Sequence, residues 1–260
     1  MTVKELYAGL QAVLPPSLSA DWDNDGLACC PDGAREVRRV LVTLDVTDAA
    51  VDKAINEGFD VILSHHPLLF RGIKALDGDT PLSAKLVRLV RAGVSAMSFH
   101  TRLDAAKGGV NDTVAALLGL LNLETFGTEE LGEIGRIGKL AAPHTARTFA
   151  EYVAKKLNVS AVLLVGGDRE IRTVALVGGE GGDFLDAAKA AGADLFLSGR
   201  VGYHRMLDAA ESGISVIEAG HFATEAPVCE RLAELVNEID PDLGVEILEL
   251  PAIETLVVRK

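Results

Sequence analysis

Short apolar runs alternate with amphipathic stretches along most of this chain. Val40–Leu44, Val61–Ser64 and Ser95–Phe99 are brief, rich in apolar residues and bounded by turn residues, as buried strands are. Between them, Asp48–Glu57 and Pro81–Ala92 space their apolar positions three and four apart, which predicts helices. Strands alternating with helices predict an α/β fold, its sheet largely parallel and covered by helices. Residues 3–13 read as a first helix, ended by Leu14-Pro15-Pro16. A polar turn over Asp21–Gly26 leads to a strand at Leu27–Cys30. After a loop holding His100 and Asp104 comes a helix opened by Asn111 or Asp112, both good N-caps. Residues 122–138, rich in Gly and Glu, read as a connector. A second α/β segment then begins with a helix at 146–157 and a strand at 162–165.

The pattern also repeats. Residues 37–64 align without gaps to residues 171–198: Ser64 and Ser198 lie 134 apart, and so do Gly58 and Gly192. Arg38, Val40, Asp52, Ala54, Gly58, Asp60, Leu63 and Ser64 recur as identical residues. A later match pairs 92–101 with 212–221. Unbroken register over a whole strand–helix–strand unit predicts a structural duplication. The expected architecture is two similar α/β lobes with mostly parallel mixed sheets, residues 1–125 and 126–260; an alternative has the N-terminal part packing with the second lobe.

Charge narrows the partners. A net charge of -13 over 260 residues opposes binding to a phosphate backbone or an acidic membrane. No run is apolar enough to span a bilayer, and residues 1–10 lack the apolar centre of a signal peptide. Cys29, Cys30 and Cys229 show neither zinc spacing nor a disulfide framework, which suits a reducing cytoplasm.

The candidate chemistry starts at Ser64-His65-His66-Pro67. In α/β sheets the carboxyl ends of strands collect ligands and metals, and a core has little use for two adjacent imidazoles. Neighbouring side chains of an extended strand diverge, so each ring is expected to serve its own metal. The second half carries Gly199-Arg200 where this pair would recur, and offers His221 and Glu225 after the strand Ser215–Glu218. Thr224 reads there as the N-cap of a helix, with His221 on the loop before it. Asp104 comes from the analogous loop of the first half. Alone, His221 is an ordinary histidine and Asp104 a loop residue; their convergence on strand ends gives them weight. Three imidazoles and two carboxylates suit two divalent ions such as zinc, iron or manganese, with Glu225 as the bridge. His100 is a candidate proton carrier or structural histidine, His204 a weaker candidate, and His144 a solvated residue. The acids of Asp21-Trp22-Asp23-Asn24-Asp25-Gly26 lack the spacing of a calcium loop and read as a polar turn.

The stretches 64–70 (SHHPLLF), 100–112 (HTRLDAAKGGVND) and 220–225 (GHFATE), with 21–27 (DWDNDGL), resemble the signatures of the GTP cyclohydrolase I type 2, or Nif-three-like, family. The resemblance implies two similar α/β subdomains in a toroidal homohexamer, a trimer of dimers, with a dinuclear metal centre in each subunit. It implies His66 and Asp104 on one metal, His65 and His221 on the other, and Glu225 bridging. Arg200 stands where many relatives have an acidic residue. The expectation is a cytoplasmic metal-dependent hydrolase acting on a nucleotide or related phosphorylated heterocycle. His100 would move a proton, and Arg102 or Arg200 would hold a phosphate. Alternatives are a metal-dependent phosphoesterase and a non-catalytic metal-binding scaffold.

Overall fold

Local capping signals set where the helices begin. In the computed structural model, which describes residues 1–248 with Ile253 and Leu256, Thr2 and Glu5 form a reciprocal capping box that opens α1 (Val3–Val13). Strand β1 (Gly26–Cys29) and strand β2 (Arg39–Thr43) follow. The Thr47 hydroxyl accepts the Ala50 N–H to start α2 (Asp48–Asn56), and β3 (Val61–Ser64) comes next. Thr80 caps α3 (Pro81–Ala92), with Pro81 in its first turn and Gly93 ending it in the left-handed conformation. Then come β4 (Ser95–Ser98), the single turn α4 (Thr101–Ala105) and α5 (Val110–Leu117).

The second half runs β5 (Leu121–Thr128), β6 (Gly132–Thr145), α6 (Ala146–Lys156), β7 (Leu163–Val165) and β8 (Glu170–Glu180). It continues through α7 (Leu185–Ala190), β9 (Leu195–Arg200), α8 (Tyr203–Ser212), β10 (Ser215–Glu218) and α9 (His221–Glu225). Helix α10 (Val228–Ile239) and β11 (Gly244–Leu248) are the last described elements.

Residues 1–103 with 228–248 form one unit, and 104–227 the other. The first unit holds a sheet of order β1-β4-β3-β2-β11, parallel except for β1. Leu41, Ile62 and Ala96 pack from this sheet against Val51, Ala54, Leu86 and Leu89 of its helices. The second unit holds a sheet of order β5-β6-β8-β9-β10-β7, with β8, β9 and β10 parallel and the outer strands antiparallel. Both sheets are mixed and helix-covered, as the alternating pattern predicts.

The strand registers agree with the duplication. Val40 pairs with Val61 in the first unit, and Val174 with Leu195 in the second, each residue displaced by 134. Asp60 accepts the backbone N–H groups of Arg38 and Arg39 (2.9 and 3.1 Å); Asp194 accepts those of Arg172 and Thr173 (both 2.9 Å). Each carboxylate thus anchors the start of its unit's strand β2 or β8, which explains why the aspartate recurs. The later match also holds, since α4 (Thr101–Ala105) and α9 (His221–Glu225) lie 120 residues apart end for end.

Two local expectations are corrected. Residues 122–138 are not a connector but most of the β5–β6 hairpin. Strand β5 is exposed over residues 121–125, so it carries no alternation of apolar and polar positions to betray it. Its glycines serve close strand approach: a Cβ at Gly127 would overlap the Gly132–Glu133 backbone, and one at Gly135 the Phe126 ring. Helix α5 is capped by neither Asn111 nor Asp112; Gly109 is its N-cap. The Asn111 side chain instead accepts the Gly178 N–H (2.7 Å) and donates to Ile134 O (2.9 Å), which fastens α5 to the sheet.

Candidate metal centre

In the first unit, strand β3 delivers its two histidines just beyond the sheet. The Ser64 hydroxyl donates to His66 O (2.7 Å), and His66 N–H donates to Leu44 O (3.0 Å), which fixes the backbone where the pleat ends. The expectation that the two rings diverge is overturned. Their centroids lie 4.9 Å apart, because residues 65 and 66 lie past the strand, where faces no longer alternate. The His100 ring completes the group, 5.2 Å from His65 and 5.5 Å from His66. One nitrogen from each of the three lies within 4.8 Å of the others.

Each of these rings is steered through Nδ1. His65 Nδ1 lies 3.0 Å from Phe99 O, His66 Nδ1 2.8 Å from Asp45 Oδ1, and His100 Nδ1 3.1 Å from Asp23 Oδ1. A carbonyl or carboxylate oxygen can only accept, so Nδ1 carries the hydrogen in all three and Nε2 is the basic nitrogen. Metal-binding histidines are characteristically held this way, by a carboxylate or carbonyl on the far nitrogen. The donor set therefore fits a borderline divalent ion.

The loop before β1 does more than turn. The Asp23 side chain is fully buried; besides His100 it accepts the Thr101 N–H (3.0 Å) and hydroxyl (2.6 Å). Burial works to raise its pKa, but the hydrogen bonds from His100 and Thr101 outweigh that and hold the carboxyl well below the usual range. Asp25 accepts the His100 backbone N–H (3.0 Å) and grips Arg102 by two bonds of 2.8 and 2.5 Å. Arg102 is 3% exposed and also donates to Leu14 O. It is a structural cation of the first unit, so the expectation that it holds a phosphate is corrected.

Asp23, Asp25 and Asp45 hold the candidate histidines, a role the sequence pattern alone does not assign. For Asp45 a signal was present: it follows the end of β2, the strand beside β3. For the loop, three acids in a short stretch were the only sign.

In the second unit, α9 carries the candidate ligands. His221 Nε2 stands 2.9 Å from Glu225 Oε2, one turn away on the same helix, with Glu225 only 4% exposed. The reading of Thr224 as an N-cap is corrected, because α9 begins at His221. The Thr224 hydroxyl bonds to Gly220 O and His221 O and accepts the Gly179 N–H (3.1 Å). Asp104, half-buried on α4, has a carboxylate oxygen within 4.8 Å of one of Glu225.

Glycine admits this helix to the ends of β8 and β9. A Cβ at Gly179, whose φ is +62°, would collide with Glu225 Oε1. A Cβ at Gly199 would sit 2.5 Å from Thr224 Oγ1 and 2.8 Å from the His221 Cα. Gly199 occupies the position that matches His65, so α9 itself excludes a second histidine pair. Gly179→Ala is expected to destabilise the protein by about 2–4 kcal/mol, from strain and displacement of Glu225. Thermal melts beside wild type would show it; a loss below about 0.5 kcal/mol would refute the packing argument.

The remaining polar candidates lie elsewhere. Arg200 is exposed and faces Glu180 at 3.8 Å. His144 and His204 are exposed on β6 and α8. No described helix is long and apolar enough to cross a membrane.

Known proteins extend these observations. The chain is 32% identical over 248 residues to the GTP cyclohydrolase 1 type 2 homolog of Clostridium perfringens, with 94% of each chain covered. Its counterpart in Clostridium acetobutylicum is 33% identical over 233 residues, covering 87% of this chain and 86% of the relative. Among solved structures, the hypothetical protein SA1388 of Staphylococcus aureus matches with a TM-score of 0.90 at 26% identity, over 99% of each chain. Residues 1–255 match the family described as Duf34/NIF3 (NGG1p interacting factor 3), and with a match of that extent the chain belongs to this family.

Proposed function

We propose that this chain is a dinuclear-metal-dependent hydrolase acting on a nucleotide or a related phosphorylated heterocycle. The observation that carries the proposal is the shared tether of His65, His66 and His100, each with Nδ1 engaged and Nε2 basic. In this reading His65, His66, Asp104, His221 and Glu225 are the residues that would hold the divalent ions. Imidazole with carboxylate suits zinc, iron or manganese. Such ions, when bound, lower the pKa of water towards neutrality. The names of the clostridial relatives support a cyclohydrolase-type reaction.

The chain's own contribution to proton transfer falls to His100. Asp23 holds its ring in one tautomer and orientation, so a proton is taken up and released at Nε2. Asp25 fixes the same residue through its backbone N–H. Of the two arginines expected to meet a phosphate, the exposed Arg200 is the one whose guanidinium remains available in this reading. The proposal includes the homohexamer that family membership suggests, which light scattering would test as a mass six times that of the subunit.

Anaerobic purification, metal analysis and incubation with GTP separate the possible outcomes. Formate release marks ring opening, and phosphate release marks an esterase. His65→Asn is expected to lose metal and turnover together. His100→Asn is expected to keep its metal and lose about 10²–10⁴-fold in kcat. Wild-type turnover by metal-free protein would overturn the proposal.

A further inference from the structure

Two large aromatic residues stand exposed beside the histidine cluster of the first unit. Trp22 is 56% exposed and Phe70 46%. Their ring centroids lie 6.0 Å apart, and each lies 6.2 Å from the His100 ring. Both planes stand steeply to the imidazole, at 75° and 76°, so neither ring lies flat against it.

These residues are held in place. Trp22 precedes Asp23, whose buried carboxylate is bonded to His100 and Thr101. Asn24 donates its side-chain N–H to Leu69 O (2.5 Å), which ties the Trp22 loop to the segment carrying Phe70. A solvent-facing aromatic pair on two cross-linked loops is preorganised to offer π faces, and a planar ring is the ligand that profits from them. Stacking on an aromatic face serves any nucleobase, because every base has a π face.

We propose that Trp22 and Phe70 form an aromatic rim that receives the planar heterocycle of the substrate and presents it to His100. The inference rests on the metal-site reading for the location of the reacting centre, and it names the substrate class as one with a stackable ring. The rim supplies ring affinity and orientation, while the phosphate is bound elsewhere.

Trp22 is the only tryptophan of the chain, so tryptophan emission, excited selectively over the three tyrosines, reports on the rim. The full-length protein, loaded with Co²⁺ and assayed for metal content, would be titrated with guanosine 5′-monophosphate and with ribose 5-phosphate. The nucleotide is expected to change Trp22 emission and to bind more tightly than the ring-free sugar phosphate. Calorimetry on Phe70→Ala is expected to show nucleotide affinity weakened between about 5- and 100-fold, with ribose 5-phosphate affinity unchanged. Phe70→Tyr should restore stacking and Phe70→Leu should not. Full metal content with equal affinity for both probes would overturn the rim and leave the metal reading standing. Nucleotide-specific emission changes in protein that takes up no Co²⁺ would support the rim and overturn the metal reading. Equal affinity in Phe70→Leu and wild type would overturn stacking as the cause.

Discussion

Glu225→Gln is expected to strip the protein of metal while leaving its fold intact. Glu225 is nearly fully buried on α9, with His221 Nε2 2.9 Å from one oxygen and an oxygen of Asp104 within 4.8 Å. Glutamine has nearly the same shape and fits the space left by Gly178 and Gly179, but it removes the negative charge and replaces one acceptor with a donor. A bridging role needs two anionic acceptor oxygens, so metal affinity should fall by more than about 100-fold, beyond the 10–100-fold typical of residues that only support a ligand. Turnover should fall with it.

Glu225 and Asp104 bring carboxylate oxygens within 4.8 Å of each other, and the same substitution removes one of the two acidic groups. Functional sites commonly sacrifice stability in this way. The metal-free variant should therefore melt at or above the temperature of metal-free wild type. Metal analysis and paired melts decide the matter: full metal content and wild-type turnover in the variant would remove Glu225 from the centre.

Arg102→Met is the substitution expected to cost most stability in the first unit. Arg102 and Asp25 form a bidentate pair with side chains 4% and 3% exposed, and the guanidinium also reaches Leu14 O and lies 5.0 Å from the Phe99 ring centre. Losing the cation leaves the Asp25 carboxylate buried with only the Ser19 hydroxyl and the His100 N–H. Breaking one side of a buried ion pair costs about 3–5 kcal/mol, equivalent to a fall on the order of 10 °C in Tm for a chain of this size. Removing both charges, in Arg102→Met with Asp25→Asn, should recover much of that loss. The single variant should also be less active, because Asp25 positions His100. A Tm within 2 °C of wild type would show that the pair does not carry this weight.

Much of this molecule could be read along the chain. Strands such as Val61–Ser64 and helices such as Pro81–Ala92 are local events, written in apolar spacing, capping threonines and stop residues. The 134-residue repeat was legible for a physical reason: Asp60 and Asp194 each bind the two backbone N–H groups that start a strand, and the glycines at 58 and 192 hold positive φ. The α/β class and the histidine pair at a strand end follow from that local record.

Other features depend on partners distant in sequence. Strand β5 has no local signature because its partner β6, and not its own polarity, makes it a strand. Strand β11 joins the first sheet only by pairing with β2, roughly two hundred residues earlier. The acids at 23 and 25 look like turn residues until Thr101, His100 and Arg102 fold over them and exclude water. Gly199 reads as a missing histidine until α9 is seen to occupy the space.

By itself, then, the sequence determined the strand–helix alternation of each repeated unit, the duplication and the residue types able to bind a metal, since each depends on neighbours a few positions away. Tertiary structure decided which imidazole nitrogen is basic, which arginine is committed inside, and where only glycine fits. Those depend on single contacts between segments far apart in the chain, and no local pattern encodes them.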